Sequence, residues 1–421
     1  MVTMRTALFA IIIVNIVCAF DPFEDFEHIS SDSEIFKNRF ANLSTAIVTY
    51  VELKDIFSFK EPSYINQSIE KMKNQLFSPT SIDMVASLLL NGAKGSTENE
   101  LMSFFNNYNK IPLSNRYLPE VSYLDNLRNI ALHLETAVYV QNSIELTADF
   151  SSICISKFNC SISKIDFRNN IYAAETINSW VQETTNNKIL DVISPVNIDG
   201  DTKIMLVNIV YLNSRWPDSI QREERIFHFS QVERHFVSTI KFKNSTFIYG
   251  EIPHWHIKFI EVPFLDDNVT MTILLPTEGM KPGWIEKNFV YEEYQSIRTA
   301  YINKKQDMEL YLPKFRTEMT RNLTDFFRER DVITMFEDNA DFTHLSKTPL
   351  KVNNIVQKIS LKVKKGSLPT FRRIEKRNLP HELIVNYPFI YEIEVNGQLV
   401  FSGFVARPDF VRYPNLIRDE L

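Results

Sequence analysis

Glycine is scarce in this chain, at 9 of 421 residues, and there is no glycine-rich loop and no Gly-X-Y repeat. That excludes a collagen-like or low-complexity protein and a glycine-cradled phosphate site. Cysteine is scarcer still, with three residues and no Cys-x-x-Cys pair to run thiol exchange or grip zinc. No single sign of charge dominates. A net charge of −6 is mild and has the wrong sign for a nucleic-acid partner. No apolar run reaches the roughly 18 residues that a membrane-spanning helix requires, so no span is expected. There is no His-Glu-x-x-His and no Gly-x-Ser-x-Gly, so neither an enzyme, a metal site nor a cofactor is expected.

What is abundant is apolar surface. At 44% hydrophobic with 32 Phe, the chain can build a large core, and no Gly/Ser/Pro-rich linker divides it. The two ends read as addresses. Arg5, the apolar run Ala7 to Val17 and the small-residue site Val17-Cys18-Ala19 describe a signal peptide over residues 1–19. Arg418-Asp419-Glu420-Leu421 is a close variant of the tails read by the endoplasmic-reticulum retrieval receptor. Together they predict a lumenal protein with one domain over residues 20–417 and a retrieval tail at 418–421. Loss of Cys18 leaves Cys154 and Cys160, open either to pairing or to remaining free thiols. Asn-X-Ser/Thr sequons at Asn42, Asn66, Asn159, Asn244, Asn268 and Asn322 are glycosylation sites where exposed, although Asn268 stands in an apolar run.

Hydrophobic periodicity places the elements. Phe36, Phe40, Leu43 and Ile47 recur at helical spacing, as do Met84, Leu88, Leu89 and Leu101 in residues 83–105. The turn Gly92 to Ser96 interrupts the latter, with Thr97 expected as N-cap and Glu100 at the capping-box position. Residues 170–193 look helical around Ile177, Trp180 and Val181, ending near Asn186-Asn187, and 320–330 reads as a helix. Residues 131–141, 203–213, 259–264, 270–275, 308–315, 355–363, 389–395 and 399–405 read as strands, and 203–213 is apolar throughout, as a strand buried on both faces would be. Helices and strands interleave without a βαβ repeat, so the class is α+β with mixed sheets. Trp180 and Trp216 read as core. His254 and His256 read as exposed loop histidines, since nothing nearby offers a third metal ligand.

Several ordered blocks resemble the serpin family. They are Asn74 to Ile82, Asn91 to Thr97, Ile177 to Val181, Leu206 to Leu212 with Trp216, Leu312 to Phe315, Ala340 to Phe342, Tyr387 to Phe389 and Phe401 to Val405 with Pro408. The resemblance implies a monomer with three β-sheets, eight or nine helices and an exposed reactive loop near the C-terminus. Inhibitory members insert the cleaved loop as a new central strand, so its residues must be small, uncharged and free of proline. Here the stretch holds Gly366, Ser367, Pro369, Phe371, Arg372 and Arg373, followed by Lys376 and Arg377. Pro369 cannot donate to a central ladder. If Gly366 is the hinge, Arg373 would face the core unpaired, which is costly.

With its retrieval tail, and with Phe158 to Arg168 and Ala406-Arg407-Pro408, the chain is similar to the collagen-chaperone branch of that family. The branch grips a triple-helix arginine with an Asp two positions before the Pro-Phe pair and packs a Tyr and a Leu from alternating upstream positions. Those positions hold Asn386, Ile384 and Glu382 here, and Lys243 aligns with a basic contact. The implied partner is a procollagen-like client. The alternative is inhibition of a lumenal serine protease of the convertase type, drawn to the dibasic pairs Arg372-Arg373 and Lys376-Arg377.

Overall fold

Ile204 to Leu212, an unbroken buried run, forms the middle of a sheet. The computed structural model describes residues 74–105, 132–216, 220–229, 233–265, 269–277, 291–301, 304–365, 381–395 and 397–409. The described elements fall within one compact unit, Phe40–Leu421. In chain order they are β1 (Gln75–Phe77), α1 (Pro79–Gly92), α2 (Gly95–Phe104), β2 (Leu132–Gln141), α3 (Ala148–Phe158), β3 (Ser161–Ile165) and α4 (Asn170–Thr184). There follow β4 (Ile204–Trp216), β5 (Ile220–His228), β6 (Arg234–Ile252), β7 (Ile257–Pro263), β8 (Val269–Pro276), α5 (Tyr291–Tyr301), β9 (Lys305–Pro313) and β10 (Thr317–Asn322). The last are α6 (Leu323–Arg328), β11 (Asn354–Lys365), β12 (His381–Ile384), β13 (Phe389–Val395) and β14 (Gln398–Val405).

Five strands form one sheet in the order β10-β11-β4-β2-β3. The period-two alternation of β4 splits it between two cores. Ile204, Leu206, Val210 and Leu212 face the main core with α1, while Met205, Val207, Ile209 and Tyr211 meet Ile177 and Val181 of α4. Its neighbours differ in direction: β2 pairs antiparallel, and β11 pairs parallel from Asn354↔Met205 to Lys365↔Trp216. Asn208 sits at a main-core position of β4 and is fully buried. It is kept there by partners. Gln357 of β11 donates its amide to the Asn208 oxygen at 3.0 Å and to the Ser81 hydroxyl of α1 at 3.1 Å. Ser81 also donates to the Asn208 oxygen, and the Asn208 amide donates to Thr136 of β2 at 3.0 Å.

The second sheet has nine strands in the order β1-β14-β13-β8-β7-β6-β9-β12, with β5 also on β6. Three sheets are implied by the resemblance, yet hydrogen bonding joins two of them here. The reason is β6, a 19-residue strand whose first part pairs β5 and β9 and whose last part pairs β7. Its pairing with β9 carries a register shift between Phe242 and Ser245, in the stretch where β7 replaces β5 on its other edge. Beneath α5 this sheet buries ions. Arg298 pairs with Glu261 of β7 and Glu394 of β13, and the Nη2 contact to Glu394 is 2.8 Å. Glu392, on the same face of β13 as Glu394 and fully enclosed, is held protonated: burial first, then the Glu394 charge, push its carboxyl up to about 8 against the pull of Arg298.

Local details correct the sequence reading. Helix α2 begins at Gly95 with Lys94 as N-cap, so Thr97 is not the cap. Thr97 instead accepts a hydrogen bond from the Asp341 amide at 2.9 Å. Glu100 caps a different element, accepting from the Ile333 and Thr334 amides at 2.7 Å each. Residues 320–322 belong to β10 rather than to a helix, and Asn322 caps α6 by accepting from Thr324 N–H at 3.0 Å. Helix α4 ends at Thr184, as expected close to Asn186 and Asn187, whose left-handed backbone breaks it. Trp216 is core, stacked on Phe264 at 4.3 Å, and half-buried Trp180 packs edge-on against Tyr139. His254 and His256 are both exposed, as expected: His254 lies within a 3-10 turn and His256 closes it in the left-handed region. Phe36, Phe40, Leu43 and Ile47 lie outside the described residues.

Candidate functional site

Where β6 leaves β9 behind, the β5–β6 hairpin projects with one face uncovered. Alternation sends Phe227 and Val237 into the core and leaves their neighbours outside. Ile226 and Phe236 are directly opposite one another across the hairpin, 41% and 47% exposed. Such a cross-strand apolar pair is a patch to be covered rather than an isolated surface residue. The chain after β12 reaches this hairpin, for the His228 amide donates to the Asn386 carbonyl at 2.8 Å. The imidazole of His228 stacks on the Tyr387 ring at 5.0 Å. The result is an open groove of about 330 Å³ lined by Glu224, Arg225, Ile226, His228, Phe236, Ile384 and Asn386.

Two of the four sequence-derived client residues, Ile384 and Asn386, therefore share one groove. The other two lie to its side. Glu382, exposed on β12, is opposite Glu309 of β9 and close enough to the Tyr311 hydroxyl to act on it. Lys243, exposed on β6, lies at the register shift, and its charge also acts on Glu309.

Arg225, which lines the groove, belongs to a polar cluster beside it. Buried Tyr311 is covered by the Arg225 guanidinium at 3.9 Å and the Lys241 ammonium at 4.7 Å from the ring centre. Lys241 also pairs with Glu309 at 2.7 Å, and the Tyr311 hydroxyl donates to Glu309 at 2.9 Å. Burial alone would lower the Lys241 ammonium, but the bonds to Glu309 and Tyr311 outweigh it and raise its pKa. The Lys241 hydrogen bond in turn holds the Glu309 carboxyl below its usual range. This cluster is spent on itself.

The remaining sequence-derived residues lie elsewhere. The reactive-loop residues Gly366, Ser367, Pro369, Phe371, Arg372, Arg373, Lys376 and Arg377 are outside the described residues, as are Arg418, Asp419, Glu420 and Leu421. So are Asn42, Asn66 and Asn268, while Asn244 falls in β6 without a described side chain. Asn159 and Asn322 are exposed. Cys154 and Cys160 are paired as a disulfide with Cα atoms 5.3 Å apart, which closes the alternative of two free thiols. No group of three or more potential metal ligands occurs among the described residues. Ile226, Phe236 and Arg225 were not singled out from the sequence. Their only signal there is the alternation of Arg225-Ile226-Phe227-His228-Phe229, which does not say which face is covered.

A family model described as serpin (serine protease inhibitor) matches residues 57–408. Mouse neuroserpin is 27% identical over 368 residues, covering 80% of this chain and 87% of that protein. Silkworm antitrypsin is 26% identical over 323 residues, covering 73% and 82% respectively. Among solved structures, maspin superposes with a TM-score of 0.75 at 24% identity over 88% of this chain and 98% of its own. Native protease nexin-1 with heparin superposes at 0.74 with 23% identity over 89% and 99%.

Proposed function

This chain belongs to the serpin family, and we propose that within it the protein is a non-inhibitory binding protein of the endoplasmic-reticulum lumen. It binds rather than catalyses, and its client is a collagen-type triple helix that docks on the groove beside β12. The observation that carries this is the shared groove: Ile384 and Asn386 stand together with the uncovered Ile226 and Phe236. Asn386 can accept a hydrogen bond from a client arginine without the strength of a charged pair. Glu382 supplies a carboxylate two residues before Ile384 on the same face. Residues 1–19 and 418–421 support the lumenal address and the retrieval receptor as a second partner.

The case against protease trapping is physical. Insertion would have to separate twelve parallel residue pairs between β4 and β11, from Asn354↔Met205 to Lys365↔Trp216. The segment following Lys365 would then have to replace them with Pro369 and Arg373 among its inward positions. A missing N–H and an unpaired buried guanidinium both weigh against that exchange.

A second reading, inhibition of a dibasic-cleaving lumenal serine protease, draws support from the silkworm antitrypsin and neuroserpin relatives and from Arg372-Arg373 and Lys376-Arg377. One pair of assays separates the two. The mature protein is titrated with a Gly-X-Arg triple-helical peptide at neutral and mildly acidic pH, and separately incubated with a dibasic-specific serine protease. Saturable peptide binding with clean loop cleavage is the expected result. A denaturant-resistant protein–protease adduct without peptide binding would reverse the order of the two readings.

A further inference from the structure

The disulfide and one sequon occupy the same three residues. Asn159-Cys160-Ser161 is an acceptor sequence whose central residue is a disulfide cysteine. Asn159 is exposed but left-handed at φ 48°, closing α3 with its N–H on the Cys154 carbonyl. The Cys160 amide donates to the same carbonyl at 3.0 Å, and Cys160 is only 4% exposed. Ser161 opens β3 opposite Ala137, and its hydroxyl is buried. A glycosyltransferase must hold the acceptor amide and the hydroxyl two residues on in one cleft. Here the amide faces water and the hydroxyl faces the interior, so the folded sequon cannot enter that cleft.

We propose that Asn159 is an N-glycosylation acceptor whose occupancy is set by whether Cys154 and Cys160 have already paired. The inference rests on the lumenal reading above and adds a redox control to it. Glycosyl transfer forms the bond from sugar C1 to Asn159 Nδ2, breaks the C1–O bond to a lipid-linked diphosphate donor and releases the amide proton to a base. Pairing forms the S–S bond and passes two electrons and two protons to a disulfide-bearing oxidoreductase. Both reactions draw on the same unfolded segment, and pairing withdraws it: Cys160 is tied one helical turn and a cap away from Cys154, which turns Ser161 inward. An oxidising lumen yields a bare Asn159, and a reducing one a glycosylated Asn159.

The test is site occupancy by peptide mass spectrometry of the full chain purified from lysates of cultured cells. Wild type is compared with Cys154→Ser, which leaves the sequon intact, and with wild type expressed under dithiothreitol. Low occupancy in wild type with a several-fold rise in the other two is the expected result. Equal occupancy in wild type and Cys154→Ser, at any level, overturns the proposal. Ile177→Val, which weakens the core but keeps the pair, is the control for slowed folding, and a rise there equal to that of Cys154→Ser overturns it too. Occupancy at Asn42 and Asn66 in the same digest reports entry into the lumen. If those are bare, the lumenal reading fails, and the same comparison is made behind a grafted signal peptide.

Discussion

The seam between β4 and β11 and the face beneath α5 bury polarity in opposite ways. At the β4–β11 seam the five-stranded sheet uses neutral amides and hydroxyls, with Asn208, Gln357, Ser81 and Thr136 bonded to one another. Beneath α5 the nine-stranded sheet uses ions, with Arg298 between Glu261 and Glu394 and a protonated Glu392 beside them. A neutral network fails when a partner is removed and is indifferent to pH. A charged one is tuned by pH, since moving one proton changes every pairwise energy in it. At its free edge the nine-stranded sheet follows a third rule, with apolar side chains in the open and polar ones at the rim.

The sharpest way to break the comparison is at the seam. Asn208→Leu leaves Gln357, Ser81 and Thr136 short of a partner, and each buried orphan costs about 1–3 kcal/mol. A loss of roughly 4 kcal/mol in denaturant unfolding is expected, the same at pH 5 and pH 8. A pH-dependent loss would mean that the seam is not the neutral network described.

Next is Glu392. Its folded carboxyl titrates near 8, above the ordinary carboxylate range, so the folded state holds the proton more tightly than the unfolded chain. Its contribution to stability is complete at acid pH, below the unfolded value, and is lost as pH rises toward 8. Glu392→Gln removes that slope. At pH 7 the variant should be the more stable by roughly 3 kcal/mol, a gain that vanishes near pH 4.5. Parallel unfolding curves at the two pH values check it, and a variant less stable at pH 7 contradicts the protonated assignment.

The groove variant should move binding without moving the fold. Phe236→Ser removes half of an exposed apolar pair, so its stability change should stay within about 0.5 kcal/mol. Affinity for the triple-helical peptide should fall about tenfold, or roughly 1.4 kcal/mol. Unchanged affinity would place the client elsewhere. The smallest effect is expected at the α6 cap, where Asn322→Ala should cost about 1 kcal/mol through the lost bond to Thr324 N–H.

Much of the fold was legible because it obeys local rules. The period-two run of β4 and the left-handed pair Asn186-Asn187 announce a doubly buried strand and a helix end from neighbours alone. What escaped depends on distant pairing. Glu100 reads as part of a capping box, but its partners are 233 and 234 residues away, and no window along the chain contains them. The groove escaped for the same reason. Ile384 and Asn386 were legible through a family likeness. Ile226 and Phe236 became visible only once the register of β5 on β6 fixed which face stays wet. Asn159 and Cys160 were each noted from the sequence, but the burial of the Ser161 hydroxyl, which couples them, is a property of the folded chain.

The unbroken course of β6 has a mechanical consequence. A strand of 19 residues is a beam about 60 Å long at the usual rise, stiff in tension because its ladder bonds share the load. One end carries Phe236 in the groove, and the other runs beside β7, which holds Glu261 against Arg298. Any force applied at the groove therefore loads the same member that braces the ion cluster. The shift between Phe242 and Ser245 is the one joint along it where strain can be relieved.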